Sequence, residues 1–286
     1  MNMQKMLNGF IIIFLIINMG LFLFLHQREV TRYTLSNERI LQLESILEKN
    51  DIYLLDHLPD FYPKSKLRVS MPTDMEKELV EAFFQNEEAR FTISANAHTH
   101  ETSKERLTFD QVNEKGRVFY GSSEPTFITK NLLGHEKSKT AHDFVKAMTL
   151  GKGKYELTDQ RDGDDFSIYY YNERFLGELI FSNETIVRIE EEGVTEARAI
   201  RYVPQGFVSN PFELFPADEA LYKFMSYIRA FEDTTLTITD LDLGYAMGKS
   251  ALENVIWMEI EPYYRIKLST GQTYFINAYT NEIYRP

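Results

Sequence analysis

The sequence predicts an α+β protein: one N-terminal transmembrane helix followed by two similar lobes, each an antiparallel sheet with a helix packed on it. Three observations carry this expectation. Residues 7–25 (LNGFIIIFLIINMGLFLFL) run for nineteen positions without a charge. The chain of 286 residues is otherwise globular in composition, 43% hydrophobic and 26% charged, with no low-complexity tract. The order helix, strand, hairpin then occurs twice, within residues 140–189 and 217–278.

The anchor follows from length. At 1.5 Å per residue, residues 7–25 span about 28 Å, close to the roughly 30 Å hydrocarbon core of a bilayer. A soluble core helix is seldom apolar on every face over that distance. A cleaved signal peptide has a shorter apolar run and a small-x-small site, whereas His26-Gln27-Arg28-Glu29 follows here. Residues 7–25 therefore predict an uncleaved anchor. Positive charge nearly balances across it: Lys5 and the α-amino group on one side, Arg28 and Arg32 offset by Glu29 on the other. The short head, residues 1–6, decides for a signal-anchor with a cytoplasmic N-terminus and an extracytoplasmic body at the cell membrane.

Behind the anchor the pattern predicts an N-terminal lobe over 26–200 and a C-terminal lobe over 206–286. The link at 191–211 carries Pro204, Gly206 and Pro211. Ser36 or Asn37 caps a helix whose Ile40, Leu43, Ile46 and Leu47 keep helical spacing, and Asn50 ends it. Pro59, Pro63 and Pro72 break the next stretch into short extended segments. Thr73 and Glu76 suit a capping box for a helix over 73–85 that turns Leu79, Val80, Phe83 and Phe84 to the core. Residues 90–127 alternate as strands, with turns at Glu114-Lys115-Gly116 and Tyr120-Gly121-Ser122. A helix over 140–150, a strand over 154–158 and a hairpin of 166–171 with 175–181 follow, extended by 185–189. The C-terminal lobe repeats this with a helix over 217–228, a strand over 234–243 and a hairpin of 263–268 with 273–278 around Thr270-Gly271. Asn183-Glu184 and Asn281-Glu282 each follow the last core strand.

Composition limits the function. Acidic residues outnumber basic ones 43 to 31, a formal net charge of -12, which argues against nucleic acid, whose binding rests on Lys and Arg neutralising phosphates. The absence of cysteine removes disulfides, thiol catalysis and thiolate metal sites. Residues 244–250 (GYAMGKS) end like a phosphate-binding loop. Gly244 and Gly248, however, are separated by three residues where that loop needs four, so no nucleotide is expected. His98-x-His100, followed by Glu101, offers two metal ligands at most and reads as a solvated loop. Asp162-Gly163-Asp164-Asp165 lacks the calcium-loop register and reads as a turn. Asp240-x-Asp242 puts two carboxylates on one face of a strand, useful for acid–base chemistry only in a cleft. No catalytic, cofactor or metal set assembles, and no enzyme is expected.

The candidate sites are interaction residues instead. Tyr169, Tyr170 and Tyr171 in succession must place rings on both faces of a strand; one face can be core, while the other needs a covering element or a partner surface. In the anchor, Asn18 is strongly polar at mid-span, and Phe14, Leu21 and Leu25 share its face at heptad-like spacing. An amide in hydrocarbon needs a hydrogen bond, from another helix or from its own backbone.

The C-terminal part carries Pro216-x-x-Glu219-Ala220-Leu221-Tyr222-Lys223, Leu243-Gly244-Tyr245, Pro262-x-Tyr264-Arg265-Ile266 and Tyr274-Phe275-Ile276-Asn277-Ala278-x-Thr280-x-Glu282-Ile283. Behind a single membrane helix, this succession resembles the YycI regulators of low-GC Gram-positive bacteria, sisters of the YycH proteins, and the chain length favours YycI. The tail is also similar to a PepSY-like ending, with Asn281 where that turn usually has glycine and Tyr264 where tryptophan is usual. Asparagine tolerates positive φ, so the first departure is mild. The resemblance implies a non-catalytic extracytoplasmic accessory protein. It would bind a YycH-type partner and modulate a YycG/WalK-type sensor histidine kinase of cell-wall metabolism through transmembrane helix contacts. The alternative is a surface-tethered PepSY-like protease-inhibiting or cell-wall-binding module.

Overall fold

In the computed structural model, residues 3–84, 88–111, 116–124, 134–191, 193–231, 234–248 and 257–284 are described. The first element, α1 (Met3–Tyr33), contains the whole uncharged run and continues past it without a break. Then come α2 (Asn37–Glu48), β1 (Ile52–Leu54), β2 (Lys64–Ser70) and α3 (Met75–Phe84). Four short strands follow: β3 (Arg90–Ile93), β4 (Ala97–Glu101), β5 (Glu105–Asp110) and β6 (Arg117–Ser122). The middle of the chain holds α4 (Gly134–Met148), β7 (Lys154–Asp162), β8 (Ser167–Phe175), β9 (Glu178–Glu190), β10 (Gly193–Ile200) and β11 (Val203–Phe212). The chain closes with α5 (Ala217–Ile228), β12 (Leu236–Ala246), β13 (Trp257–Leu268), β14 (Thr273–Asn277) and β15 (Ile283–Tyr284). The protein is thus α+β: an apolar N-terminal helix before a body mostly of sheet.

The chain divides into two units that are not consecutive in sequence. The first is Met1–Lys64, Pro211–Leu243 and Tyr263–Pro286; the second is Ser65–Asn210 and Gly244–Pro262. In the first unit the strand order is β1-β12-β13-β14-β15. β1 runs parallel to β12, with Ile52 opposite Leu236, whereas β13, β14 and β15 pair antiparallel. Helix α2 is capped by Ser36, whose hydroxyl accepts from Arg39 N at 3.4 Å. Its Leu43 and Leu47 meet Leu221, Phe224 and Ile228 of α5 and Tyr264, Ile266 and Tyr274 of the sheet in one core. Ile46, which keeps the same helical spacing, is on the surface. At the β14–β15 turn Asn281 has φ +56°, the left-handed conformation that asparagine tolerates better than most residues, and Asn277 Oδ1 accepts from Tyr279 N at 2.8 Å and Thr280 N at 3.1 Å.

The second unit is built on an antiparallel sheet in the order β7-β8-β9-β10-β6-β5-β4-β3. Helices α3 and α4 cover one face, burying Leu79, Phe144 and Val145 against Leu107, Val118 and Val187. A second cluster gathers Leu67, Val69, Ile180, Tyr202, Tyr245 and Met258, where β2 pairs antiparallel with Trp257–Ile260 and the end of β12 runs parallel to β9.

Several expectations are corrected. The stretch expected as a link contains β10 and β11; its glycines Gly193 and Gly206 take φ of +139° and +133°, and Pro204 sits in a strand that ends its path of paired strands, where a missing N–H is tolerated. The capping box does not form: Thr73 Oγ1 donates to Asp74 Oδ2 at 3.1 Å, α3 begins at Met75, and the Glu76 carboxylate turns to histidines instead. The β8–β9 turn falls at Leu176-Gly177, both with positive φ, as a type I′ turn requires. Tyr120-Gly121-Ser122 is the end of β6 rather than a turn, and Glu114 and Lys115 lie outside the described residues. Asn183, matched in sequence to the turn residue Asn281, is buried inside the long strand β9.

Candidate membrane anchor and interaction surfaces

Helix α1 is long and apolar enough to cross a membrane, with a mean hydropathy of 2.4 over its most apolar window and none of that window buried in the chain. Phe14, Leu21 and Leu25 are exposed along it. Asn18 Nδ2 donates to the Phe14 carbonyl at 2.8 Å, within the helix. That leaves the second N–H and Oδ1 without a partner among the described residues.

Past the apolar run, α1 is fixed to the first unit. Arg32 pairs with Glu213. Phe61 N donates to Tyr33 O at 3.0 Å, and the Tyr33 ring meets Phe61 edge-on at 6.1 Å and Tyr62 at 5.5 Å. The basic Arg32 in the last turn also complements the helix dipole. No flexible linker separates helix from body: three independent kinds of contact (ion pair, backbone hydrogen bond and ring packing) hold the last turn.

The three tyrosines divide as strand alternation demands. Tyr169 and Tyr171 are buried in the core under α4, and burial pushes the Tyr171 hydroxyl up to about 12. Tyr170 lies on the opposite, uncovered face, with Arg161 stacked on it at 5.0 Å. Its cross-strand row continues through Ile186, Arg198, Phe119 and Thr108. An open groove of about 580 Å³ lies on this face, with Gly121 leaving room between Glu196 and Arg106. The cations there are internally balanced: Arg198 pairs with Glu184, Arg188 with Glu190 and Arg106 with Glu101.

His98 and His100 stand on β4, not in a loop. His98 Nδ1 lies 3.1 and 3.2 Å from the Glu76 carboxylate oxygens and His100 Nε2 lies 2.9 Å away, while Gln111 Nε2 donates to the same group at 3.3 Å. Phe91 stacks on His100 at 4.6 Å. Sequence reading missed this cluster because Glu76 is 22 residues from His98, on a helix. Among the described residues no group of three metal-ligating side chains is placed to hold an ion. Burial pushes the Glu76 carboxyl up, but the hydrogen bonds from His100 and His98 outweigh it and hold the group below its usual range. A depressed carboxyl contributes stability above its unfolded value and loses it as pH falls through the folded value. Glu76→Gln is therefore expected to cost about 1 kcal/mol or less, discounted for partial exposure, and the difference from wild type should vanish once acid protonates Glu76. Urea denaturation across the acid range checks this; a pH-independent difference would contradict it.

Asp240 and Asp242 do share a face, but as members of an ion network. Arg265 Nε donates to Asp242 Oδ2 at 3.1 Å and Lys267 Nζ lies 2.7 Å from Asp240 Oδ2. Burial pushes the Asp242 carboxyl up. Asp240, also pushed up by burial, is held below the usual range by Lys267 and Arg265. Gly244 sits in β12, and a Cβ there would meet Leu179 O at 2.7 Å, so this glycine serves the close approach of β12 to β9. Lys249 and Ser250 lie outside the described residues. The Asp162-Gly163-Asp164-Asp165 stretch joins β7 to β8, with Gly163 N donating to Phe166 O at 2.8 Å.

No family model matches the chain, and no curated protein matches it. Among solved structures it is similar to an uncharacterized protein from Eubacterium rectale, at 10% identity and a TM-score of 0.53, over 82% of this chain and 90% of that one. It also aligns with the YpeB C-terminal domain of Bacillus megaterium, at 14% identity and a TM-score of 0.39, over 76% of this chain and 98% of that one. The first likeness is one of fold alone.

Proposed function

We propose that this protein is a non-catalytic, single-pass membrane-anchored regulator whose extracytoplasmic body binds a protein partner and passes the bound state to its membrane helix. The observation that supports this best is the unbroken α1: the apolar span and the turn clamped by Tyr33, Phe61 and the Arg32–Glu213 pair are one helix. A displacement of the first unit therefore moves the span. The sequence resemblance supplies the partners of the finer reading, a YycH-type sister protein and a YycG/WalK-type histidine kinase. Affinity capture of the full chain from detergent-solubilised membranes tests it: sister protein and kinase are the expected captures, and a protease or wall glycan in their place would favour the tethered inhibitor or wall-binding alternative.

Asn18 gives the membrane half of this reading a test. Its unused amide N–H and Oδ1 suit a neighbouring helix, and such pairings contribute about 0.6–2 kcal/mol each. Asn18→Leu is expected to leave the protein anchored and folded while changing kinase-dependent reporter output several-fold in the direction of a deletion. Unchanged output at equal protein level would show that Asn18 carries none of the coupling.

A further inference from the structure

We infer that the first unit rests on the lipid headgroup layer through an aromatic rim beside the end of α1, formed by Tyr62, Phe212 and Phe215; this rests on the reading of α1 as a membrane span. The reach of α1 sets the height. From Leu25, the last residue of the apolar run, to Tyr33 the helix rises about 12 Å. The headgroup region on each side of a bilayer is roughly 5–7 Å thick, by subtracting the hydrocarbon core from the full width. The clamp at Arg32 and Tyr33 therefore holds the body about 5–7 Å beyond the headgroup layer, roughly the length of one aromatic side chain.

A closed circuit of contacts identifies which side chains lie there. Tyr33 touches Tyr62 at 5.5 Å. Two residues on, the Lys64 carbonyl accepts from Tyr279 Oη at 2.8 Å. The Tyr279 ring meets Phe212 edge-on at 5.5 Å, and the next residue, Glu213, returns to Arg32 of the helix. Phe215 follows, its N–H donating to Ala278 O at 2.9 Å. The circuit places Tyr62 and Phe212 beside the last turn of the helix, with Phe215 three residues on from Phe212, yet Phe212 is 50% and Phe215 37% exposed. Exposing such apolar rings to water is unfavourable, whereas Tyr concentrates at the bilayer interface and Phe buries at the headgroup–acyl boundary. The neighbouring Arg32 is neutralised by Glu213, and the chain is acidic, so the attraction is interfacial partitioning and needs no anionic lipid.

Depth-sensitive quenching tests this with the full chain. Trp257 is the one tryptophan in the sequence, so Trp257→Phe with Phe212→Trp, and separately with Phe215→Trp, places one reporter on the rim. Each variant is reconstituted in phosphatidylcholine vesicles with and without lipids brominated near the headgroup. The expected result is flotation with the vesicles and loss of most emission in brominated lipid for both reporters. Flotation with emission unchanged by bromine would overturn the rim while keeping the anchor. Failure to float would overturn the anchor, and the rim with it.

Discussion

Replacing Arg265 by methionine is expected to destabilise the first unit by about 2–3 kcal/mol at neutral pH, less than the cost of breaking a fully buried ion pair because Asp242 is 27% exposed. Arg265 is 5% exposed and spans two carboxylates, with Nη2 at 2.5 Å from Asp242 Oδ2 and 4.0 Å from Asp240 Oδ2. Methionine keeps much of the volume but leaves Asp242 without its cation. Burial already pushes the Asp242 carboxyl up, and Arg265 pulls against it. Without the arginine the group rises further. A raised carboxyl gives stability that is present below the unfolded value and lost as pH rises through the folded one, so the penalty should be greatest near neutrality and shrink as acid neutralises Asp242. Adding Asp242→Leu to Arg265→Met should recover much of the loss, because an apolar pair replaces an ionic one. Thermal unfolding at several pH values measures all three. A penalty independent of pH would show that packing, not charge, is what Arg265 supplies.

The second large effect is expected at Asn183. Its side chain is fully buried and makes three hydrogen bonds: Nδ2 donates to Glu173 Oε2 and to Tyr202 O, both at 2.6 Å, and Oδ1 accepts from Tyr202 N at 2.8 Å. Alanine would strand a buried carboxylate oxygen and both backbone groups of Tyr202. Each unsatisfied group costs about 1–3 kcal/mol and a charged one more, so Asn183→Ala should lose at least about 3 kcal/mol. Burial pushes the Glu173 carboxyl up while Asn183 helps hold it down; the variant should regain part of its stability in acid. Urea unfolding followed by Trp257 fluorescence reads this directly, since Trp257 belongs to the second unit. A loss below about 1 kcal/mol would mean that solvent replaces the amide easily.

Residue pattern made some elements plain in advance and hid others for identifiable reasons. α1 was legible because nineteen uncharged residues have few other uses, and α5 matched its expected bounds because its apolar residues keep helical spacing behind Pro216. Tyr169 to Tyr171 were bound to alternate, and only the choice of core face needed the structure. Local cues misled at β10 and β11, where Pro204 and Gly206 suggest a link; an outer strand tolerates both. The pairing of β1 with β12 joins Ile52 to Leu236, and no local periodicity encodes a register across that separation. For the same reason the interleaved division of the units, with residues before Lys64 joined to the C-terminal strands, has no counterpart in a reading of lobes in series. The Glu76 cluster was hidden because a glutamate three residues after threonine fits a cap equally well.

The proposed extracytoplasmic placement of the body has a direct measurement. The chain has no cysteine, and Leu176, at the tip of the β8–β9 turn, is 75% exposed. Leu176→Cys in intact cells is expected to react with a membrane-impermeant maleimide as fully as it does after permeabilisation. Labelling that appears only after permeabilisation would place the body in the cytoplasm and contradict the account.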